Sequence, residues 1–360
     1  MERVSGAGTP ALAGPFANAK QPTRRLTRGR RMPMNRFVHL LRTASLSLVI
    51  TVLAPSADAQ QPYPSRPVTI IADSAAGSTP DAVLRLIADR LGQVWGQQVV
   101  PVNHPGAGGS IAARIAADAA PDGYTLYMPV LSTFVSLPGA APNLPLRLPR
   151  DFLPIGFAAE NPMFVAVSPS LGIATLPDLI ARAKARPDDI SCAVTGIGRL
   201  THLTAELLQS TSGIKVLMVP YTGGPAHAIS DVVSGRVSFI VEGYSGIAGA
   251  IQSGLVKPIA VAAEKRLAEF PNLPTVAETL PGFSTTGWQV LVAPLATPEP
   301  IIRKVSEDLR TVVDDPELKK TIAVRGSYTR AMSPAETIAF VAGEQAKWKP
   351  VIENIARTAQ

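Results

Sequence analysis

The stretch VTIIADSAAGSTPDAVLRLIADRLGQVW, residues 68–95, decides the fold. Val68–Ala72 is a short apolar run, the pattern of a strand buried on both faces. Asp81–Trp95 places Val83, Leu84, Ile87 and Leu91 at helical spacing. Between them lies a loop of small residues that ends on Pro80, which suits a first helical turn. This is one strand–loop–helix unit, and the chain repeats it outward in both directions.

Gln98–Val102 and Thr125–Met128 read as strands, with a helix over Ile111–Ala119 between them. Leu137–Pro154 is Pro-rich and is expected to be irregular. The alternation then resumes. Strands are expected at Phe164–Val167, Ile190–Val194, Val216–Val219, Ser238–Val241, Pro258–Ala262 and Gln289–Ala293. Helices are expected at Leu176–Arg186, Thr201–Ser210 and Ala226–Ser234, and the chain closes with helices Pro300–Val313, Pro316–Arg325 and Pro334–Ile355. Repeated strand–helix–strand units predict an α/β protein of two doubly wound domains with helices on both faces of each sheet. The terminal helices are expected to return to the first domain. That places chain crossings near Glu160–Val167 and Thr285–Ala293, the two crossings of a hinge. The expected boundaries are 60–163 with 288–360 for domain 1 and 164–287 for domain 2. At 360 residues the chain has the length for two such domains.

The formal charge of +7 does not mark a nucleic-acid binder. Residues 1–59 hold nine basic and two acidic side chains, so the whole excess lies there and the body is neutral. Arg36 and Arg42, the apolar run Ala44–Ala54 and the small-x-small site Ala57-Asp58-Ala59 are the parts of a signal peptide. The apolar run is shorter than the ~20 residues that span a bilayer. The mature chain is expected to begin near Gln60, in the periplasm, with Met32 or Met34 as an alternative start. A retained N-terminal anchor is the other reading. Cys192 is the only cysteine, so no internal disulfide can form, and it reads as a small buried hydrophobe rather than a thiol nucleophile paired with His202.

Ligands of open α/β sheets sit beyond the carboxyl ends of strands. The first loop to inspect therefore holds Ser74, Ala75, Ala76, Gly77, Ser78 and Thr79, followed by Asp81. Its hydroxyls and the free N–H groups of a helix start suit an anion. Asn103–Ser110 is glycine-rich but lacks both the P-loop lysine and the G-x-G-x-x-G spacing, and reads as a tight turn. The loop from Thr195 through Gly196, Gly198, Arg199 and Thr201 to His202 offers a guanidinium suited to a carboxylate. The alternatives are an exposed arginine, and a histidine bonded to its own loop. Tyr221 either lines the cleft or packs at its rim, and Glu242 is placed to accept from a ligand amine or to fix a loop. HExxH, CxxC and G-x-S-x-G are absent, and His104, His202 and His227 have no metal-ligand spacing. No catalytic group, metal or cofactor is expected.

One ordered series of motifs spans the body of the chain. It comprises Tyr63-Pro-Ser-Arg-Pro-Val, Ala75-Ala-Gly77, Asp81, Asn103-His-Pro-Gly-Ala-Gly-Gly109, Ala120-Pro-Asp-Gly-Tyr-Thr-Leu126, Asp151-Phe152, Thr201-His-Leu203, Val219-Pro-Tyr221 and Leu273-Pro-Thr-Val-Ala-Glu278. The series resembles the substrate-binding proteins of tripartite tricarboxylate transporters, the Bug family. The resemblance implies a type II periplasmic-binding-protein fold and a carboxylate held between the domains. It implies contacts from Ser74–Thr79, Asp81, Ser132, Thr133, Thr195–His202, Tyr221 and Glu242, and delivery by a monomeric receptor to a membrane permease. A ligand-sensing adaptor for a signalling system and an exported enzyme on the same fold are the alternatives. The chain departs from the family pattern within these loops. Asp73-Ser74 stands for Pro-Phe, Ser78-Thr79-Pro80 for Gly-Gly-Thr, Arg199 for a small polar residue, and Glu242-Gly243 for Asp-Asn. Arg199 is expected to favour a second carboxylate, and Asp73 and Glu242 an amino group.

Overall fold

The computed structural model describes residues 63–136, 146–187 and 189–358. The leader and residues 137–145 of the Pro-rich stretch lie outside them. The opening unit forms as its pattern predicts. Strand β1 (Val68–Ala72) leads through the loop into α1 (Thr79–Trp95), which buries Val83, Leu84, Ile87 and Leu91. Strand β2 (Val99–Asn103), α2 (Ser110–Ala117), β3 (Thr125–Met128) and the single turn α3 (Leu131–Val135) follow. β2 and β3 both pair parallel with β1.

The chain then departs from expectation. Where an irregular stretch was expected to Pro154 and a short strand at Phe164–Val167, a single strand of 16 residues, β4 (Phe152–Val167), begins at Phe152. Its prolines hid it, because a proline cannot donate to a ladder and argues against an interior strand. β4 accommodates Pro154 beside a register shift, and Pro162 at the end of its pairing with the first sheet.

Helix α4 (Leu176–Ala185) starts on a capping box, Thr175 accepting from the Asp178 amide and Asp178 from that of Thr175. Then come β5 (Ser191–Val194), α5 (Leu200–Ser212), β6 (Leu217–Pro220), α6 (Pro225–Val233) and β7 (Phe239–Gly243). A helix missed by the pattern, α7 (Tyr244–Gln252), follows directly. Gly246 and Gly249 disfavour it by propensity, and burial of Tyr244, Ile247 and Ala250 outweighs that preference. Strands β8 (Lys257–Val261) and β9 (Thr286–Pro294) precede α8 (Glu299–Asp314), α9 (Pro316–Ala323) and α10 (Pro334–Thr358).

β4 divides the nine strands into two groups. Phe152–Pro162 pairs antiparallel with β9, within the order β2-β1-β3-β9-β4. Met163–Val167 pairs antiparallel with β7 and β8, and β7 continues to β5 and β6. The return crossing is Thr285, which donates to the Ala262 carbonyl at 2.9 Å and accepts from the Met163 amide at 3.4 Å. On the first sheet, Leu84, Ile87 and Leu91 share a core with Leu309, Val312 and Ile322 of α8 and α9. On the second, Ala228, Val232 and Ile247 pack with Ala193 and Ile240.

Candidate functional site

A cavity of about 350 Å³ opens where the carboxyl ends of the strands of both sheets meet. The loops after β1, β2 and β3 line one side, and those after β5 and β6 and the end of β7 line the other. Asn161, Met163, Gly287 and Trp288, from the two crossing strands, complete the lining.

Asp73 and Arg199 meet across the cavity. The Asp73 carboxylate is fully buried and accepts from the Tyr127 hydroxyl at 3.1 Å, the Thr133 hydroxyl and the Val130 amide at 3.5 Å. Its other oxygen lies 3.4 Å from Arg199 Nη2. Arg199 also donates to the Asp73 carbonyl and, through Nη1, to the Gly108 carbonyl, both at 3.3 Å. Its side chain remains 17% exposed, so the guanidinium joins the two sides and still faces the cavity. Thr133 holds Asp73 from behind and does not line the cavity. Ser132 beside it is fully buried, also outside the lining.

The loop after β1 is shaped by Asp81. One Asp81 oxygen accepts from the Gly77 amide at 2.9 Å and Arg85 Nε at 3.0 Å, the other from Asn103 Nδ2 at 2.9 Å. Burial pushes the Asp81 carboxyl up, and these donors outweigh it and hold the carboxyl below its usual range. Asn103 also donates to the Ser74 carbonyl, and Ser78 Oγ to the Ala75 carbonyl. Ser74, Ala75 and Ser78 line the cavity as a result, whereas Ala76, Gly77 and Asp81 do not. Thr79 turns away to accept the Gly246 amide of α7 at 3.1 Å. Gly243 permits that approach, since a Cβ there would lie 2.5 Å from Thr79 Oγ1.

On the other side, Thr195, Gly196, Arg199, Thr201 and Glu242 line the cavity. Thr195 donates its hydroxyl to Glu242 Oε2 at 2.9 Å, so the Thr201 hydroxyl, 3.2 Å away, donates to Thr195. Glu242 Oε1 accepts the Gly243 amide at 2.9 Å. Burial pushes the Glu242 carboxyl above its ordinary range, against the pull of that amide, Thr195 and the Arg199 charge. Gly198 and His202 are outside the lining and bond to each other, the Gly198 amide donating to Nδ1 at 3.4 Å. Burial lowers the His202 pKa, with Glu206 opposing. Tyr221 donates to Asp231 at 2.6 Å, away from the cavity, and burial with that carboxylate raises its hydroxyl to about 12. Cys192 is buried in β5, its thiol pushed well above the ordinary range by burial, and does not line the cavity.

The helix starts explain the chemistry. Ser78 and Arg199 are the N-cap residues of α1 and α5, and neither side chain caps its helix. Both helix starts lie at the cavity wall, and α5 brings its first-turn residues Leu200 and Thr201 there, with the positive dipole end, beside the Arg199 guanidinium. Residue patterns did not single out Asn161, Trp288 or Gly287 as site residues. They lie on crossing strands whose juxtaposition depends on pairing across more than a hundred positions. No cluster of three metal-ligating side chains occurs among the described residues.

Two α/β sheets joined by crossing strands, with a cavity at the strand ends, define a periplasmic-binding-protein fold. The chain belongs to the family described as "Tripartite tricarboxylate transporter family receptor", whose model matches residues 83–357. It is 36% identical, over 90% of both chains, to a UPF0065 protein of the TAR-I ttuE-ttuC' intergenic region of Agrobacterium vitis. Among solved structures it is similar to R. palustris Rpa4515 with adipate (28% identity, TM-score 0.75), covering 81% of this chain and 97% of that one. It is also similar to MatC of Rhodopseudomonas palustris with bound malate (29% identity, TM-score 0.73), covering 81% of this chain and all of that one.

Proposed function

We propose that this chain is a periplasmic receptor that captures a small organic acid in the cavity and delivers it to the membrane permease of a tripartite transporter. The carrying observation is that the uncapped start of α5 and the Arg199 guanidinium face one cavity, with the start of α1 at its opposite wall. Such a constellation favours a carboxylate, through charge-assisted hydrogen bonds to amides and guanidinium. The adipate and malate of the related structures are organic acids of the size such a cavity takes. No reacting group is needed in this reading. Asp73 is held by four donors, Glu242 by two, and His202 is turned into its own loop.

The two groups of strands serve as lobes that close about the crossings at Met163 and Thr285, so domain 1 is residues 60–163 with 288–360, and domain 2 is 164–287. Ligand that touches both lobes only when they are closed shifts the open–closed equilibrium by its differential affinity. Titration calorimetry of the leader-free chain against a panel of mono-, di- and tricarboxylates tests this. Binding of at least one acid, with a smaller radius of gyration in the bound state, is the expected result. A panel without heat and without compaction would remove the receptor reading.

A further inference from the structure

Among the described residues, three buried side-chain polar atoms have no hydrogen-bond partner: Ser132 Oγ, Asn161 Oδ1 and Ser327 Oγ. Only Asn161 lines the cavity, and it is 2% exposed. Buried polar groups are nearly always paired, so an orphaned acceptor at a cavity wall calls for a donor from outside the chain.

The direction in which the Asn161 amide faces follows from its neighbours. The Pro80 carbonyl can only accept, so the Gln289 amide, 2.9 Å away, presents Nε2 to it. Gln289 Oε1 is then turned toward Asn161, and accepts Nδ2 at 3.4 Å. The oxygen of Asn161 is thereby left over, and not by an arbitrary choice between two flips. Asn161 sits on β4 opposite Gly287, two residues before Met163, where the strand passes to the second sheet. A Cβ at Gly287 would come within 2.7 Å of Leu200 Cδ2, so glycine keeps this floor open. Glu242 supplies a second acceptor in the same cavity, with two of its lone-pair positions filled by Thr195 and Gly243. The cavity thus holds two acceptors, Asn161 Oδ1 and Glu242, together with the Arg199 guanidinium.

We propose that Asn161 Oδ1 receives a hydrogen-bond donor carried by the bound acid, so that the cleft selects a hydroxy- or amino-substituted carboxylate over the unsubstituted parent acid. This rests on the cavity being an organic-acid site, and the test separates the two. The leader-free chain is titrated with succinate, malate and aspartate, and with adipate against 2-hydroxyadipate and 2-aminoadipate. A substituted acid is expected to bind at least about tenfold tighter than its parent, since a site built around a polar partner rejects the analogue lacking it. Tighter aspartate identifies the donor as an ammonium, helped by Glu242, and tighter malate as a hydroxyl. Asn161→Ala is expected to abolish the preference while the parent acid still binds. Equal affinity of parent and substituted acids for the unaltered protein overturns the proposal, as does an Asn161→Ala variant that keeps the preference. The comparison on the unaltered protein decides the matter even where the variant fails to fold. Failure of every acid to bind overturns the organic-acid reading itself, and this proposal with it.

Discussion

Replacing Arg199 by alanine separates a ligand contact from a strut. In the structure, Arg199 makes three hydrogen bonds to protein acceptors, all at 3.3–3.4 Å and thus longer than the usual N–H···O distance. They use one proton of Nη1 and both of Nη2, which leaves Nε–H and the second Nη1–H for a ligand. One charge-assisted bond to a carboxylate, worth about 1.5–3 kcal/mol, converts to a loss of roughly 10- to 150-fold in affinity on truncation. Truncation also withdraws the cation from Asp73, which keeps its bonds from Tyr127, Thr133 and Val130. The stability cost is accordingly about 1–3 kcal/mol, below the ~3–5 kcal/mol of a buried charge left wholly alone. Calorimetry with malate and adipate measures the first effect, and urea unfolding the second. Arg199→Lys, which keeps the charge and loses the fork, is expected to fall between parent and alanine. A variant that loses stability but binds both acids within about twofold of the parent would refute the reasoning, leaving Arg199 a tie between lobes and no more.

Asp81→Ala removes the acceptor for Gly77, Arg85 and Asn103, and is expected to destabilise by about 2–3 kcal/mol in urea and to weaken acid binding by releasing the Ser74–Ser78 loop. Because the Asp81 carboxyl is held below its ordinary range, its stabilising contribution is present above that range and fades as pH falls through the lower folded pKa. An urea midpoint for Asp81→Asn that tracks the parent at pH 7 would contradict this. Glu242 carries the opposite sign. Its folded pKa lies above the ordinary range of a glutamate, so the folded state holds the proton more tightly and stability rises as pH falls through that raised pKa. Glu242→Gln is expected to lose this part of the pH dependence, read as a smaller gain in urea midpoint as pH falls toward the ordinary carboxyl range. Gly243→Ala has ordinary backbone geometry at φ −69° but drives a methyl against buried Thr79, and is expected to cost about 1–3 kcal/mol through overpacking. A paired Thr79→Ala substitution should recover part of that loss in thermal unfolding.

Alternating short apolar runs and amphipathic segments were enough to locate β1, β3, β5 and the helices that follow β1 and β5, because strand and helix periodicities are local properties of the chain. The same locality made the loops after β1 and β5 legible as cavity walls, with Ser74, Ser78, Thr195, Arg199 and Thr201. The partners of those residues were not legible. Thr79, Asp81, Thr133 and His202 carry polar groups suited to a ligand, yet each is turned to Gly246, Arg85, Asp73 or Gly198 by packing that residue spacing does not encode. Asp73 stood out as a departure from the family pattern, but its pairing with Arg199 joins loops 126 positions apart.

β4 marks the boundary between what the chain alone determined and what only its tertiary structure decided. Its residues 152–163, with Pro154, Gly156 and Pro162, hold no strand signal of their own. They become a strand because β9 offers a ladder to one half of β4, and β7 and β8 to the other. Side-chain period and loop composition therefore determined that the protein is an α/β molecule whose loop after β1 brings Ser74 and Ser78 to a strand end. Long-range pairing decided where the two sheets join, and with that junction it set Asn161, Gly287 and Trp288 into the cavity. A hydrogen bond between Asn161 and Gln289 spans 128 positions, and no local preference of the chain specifies it.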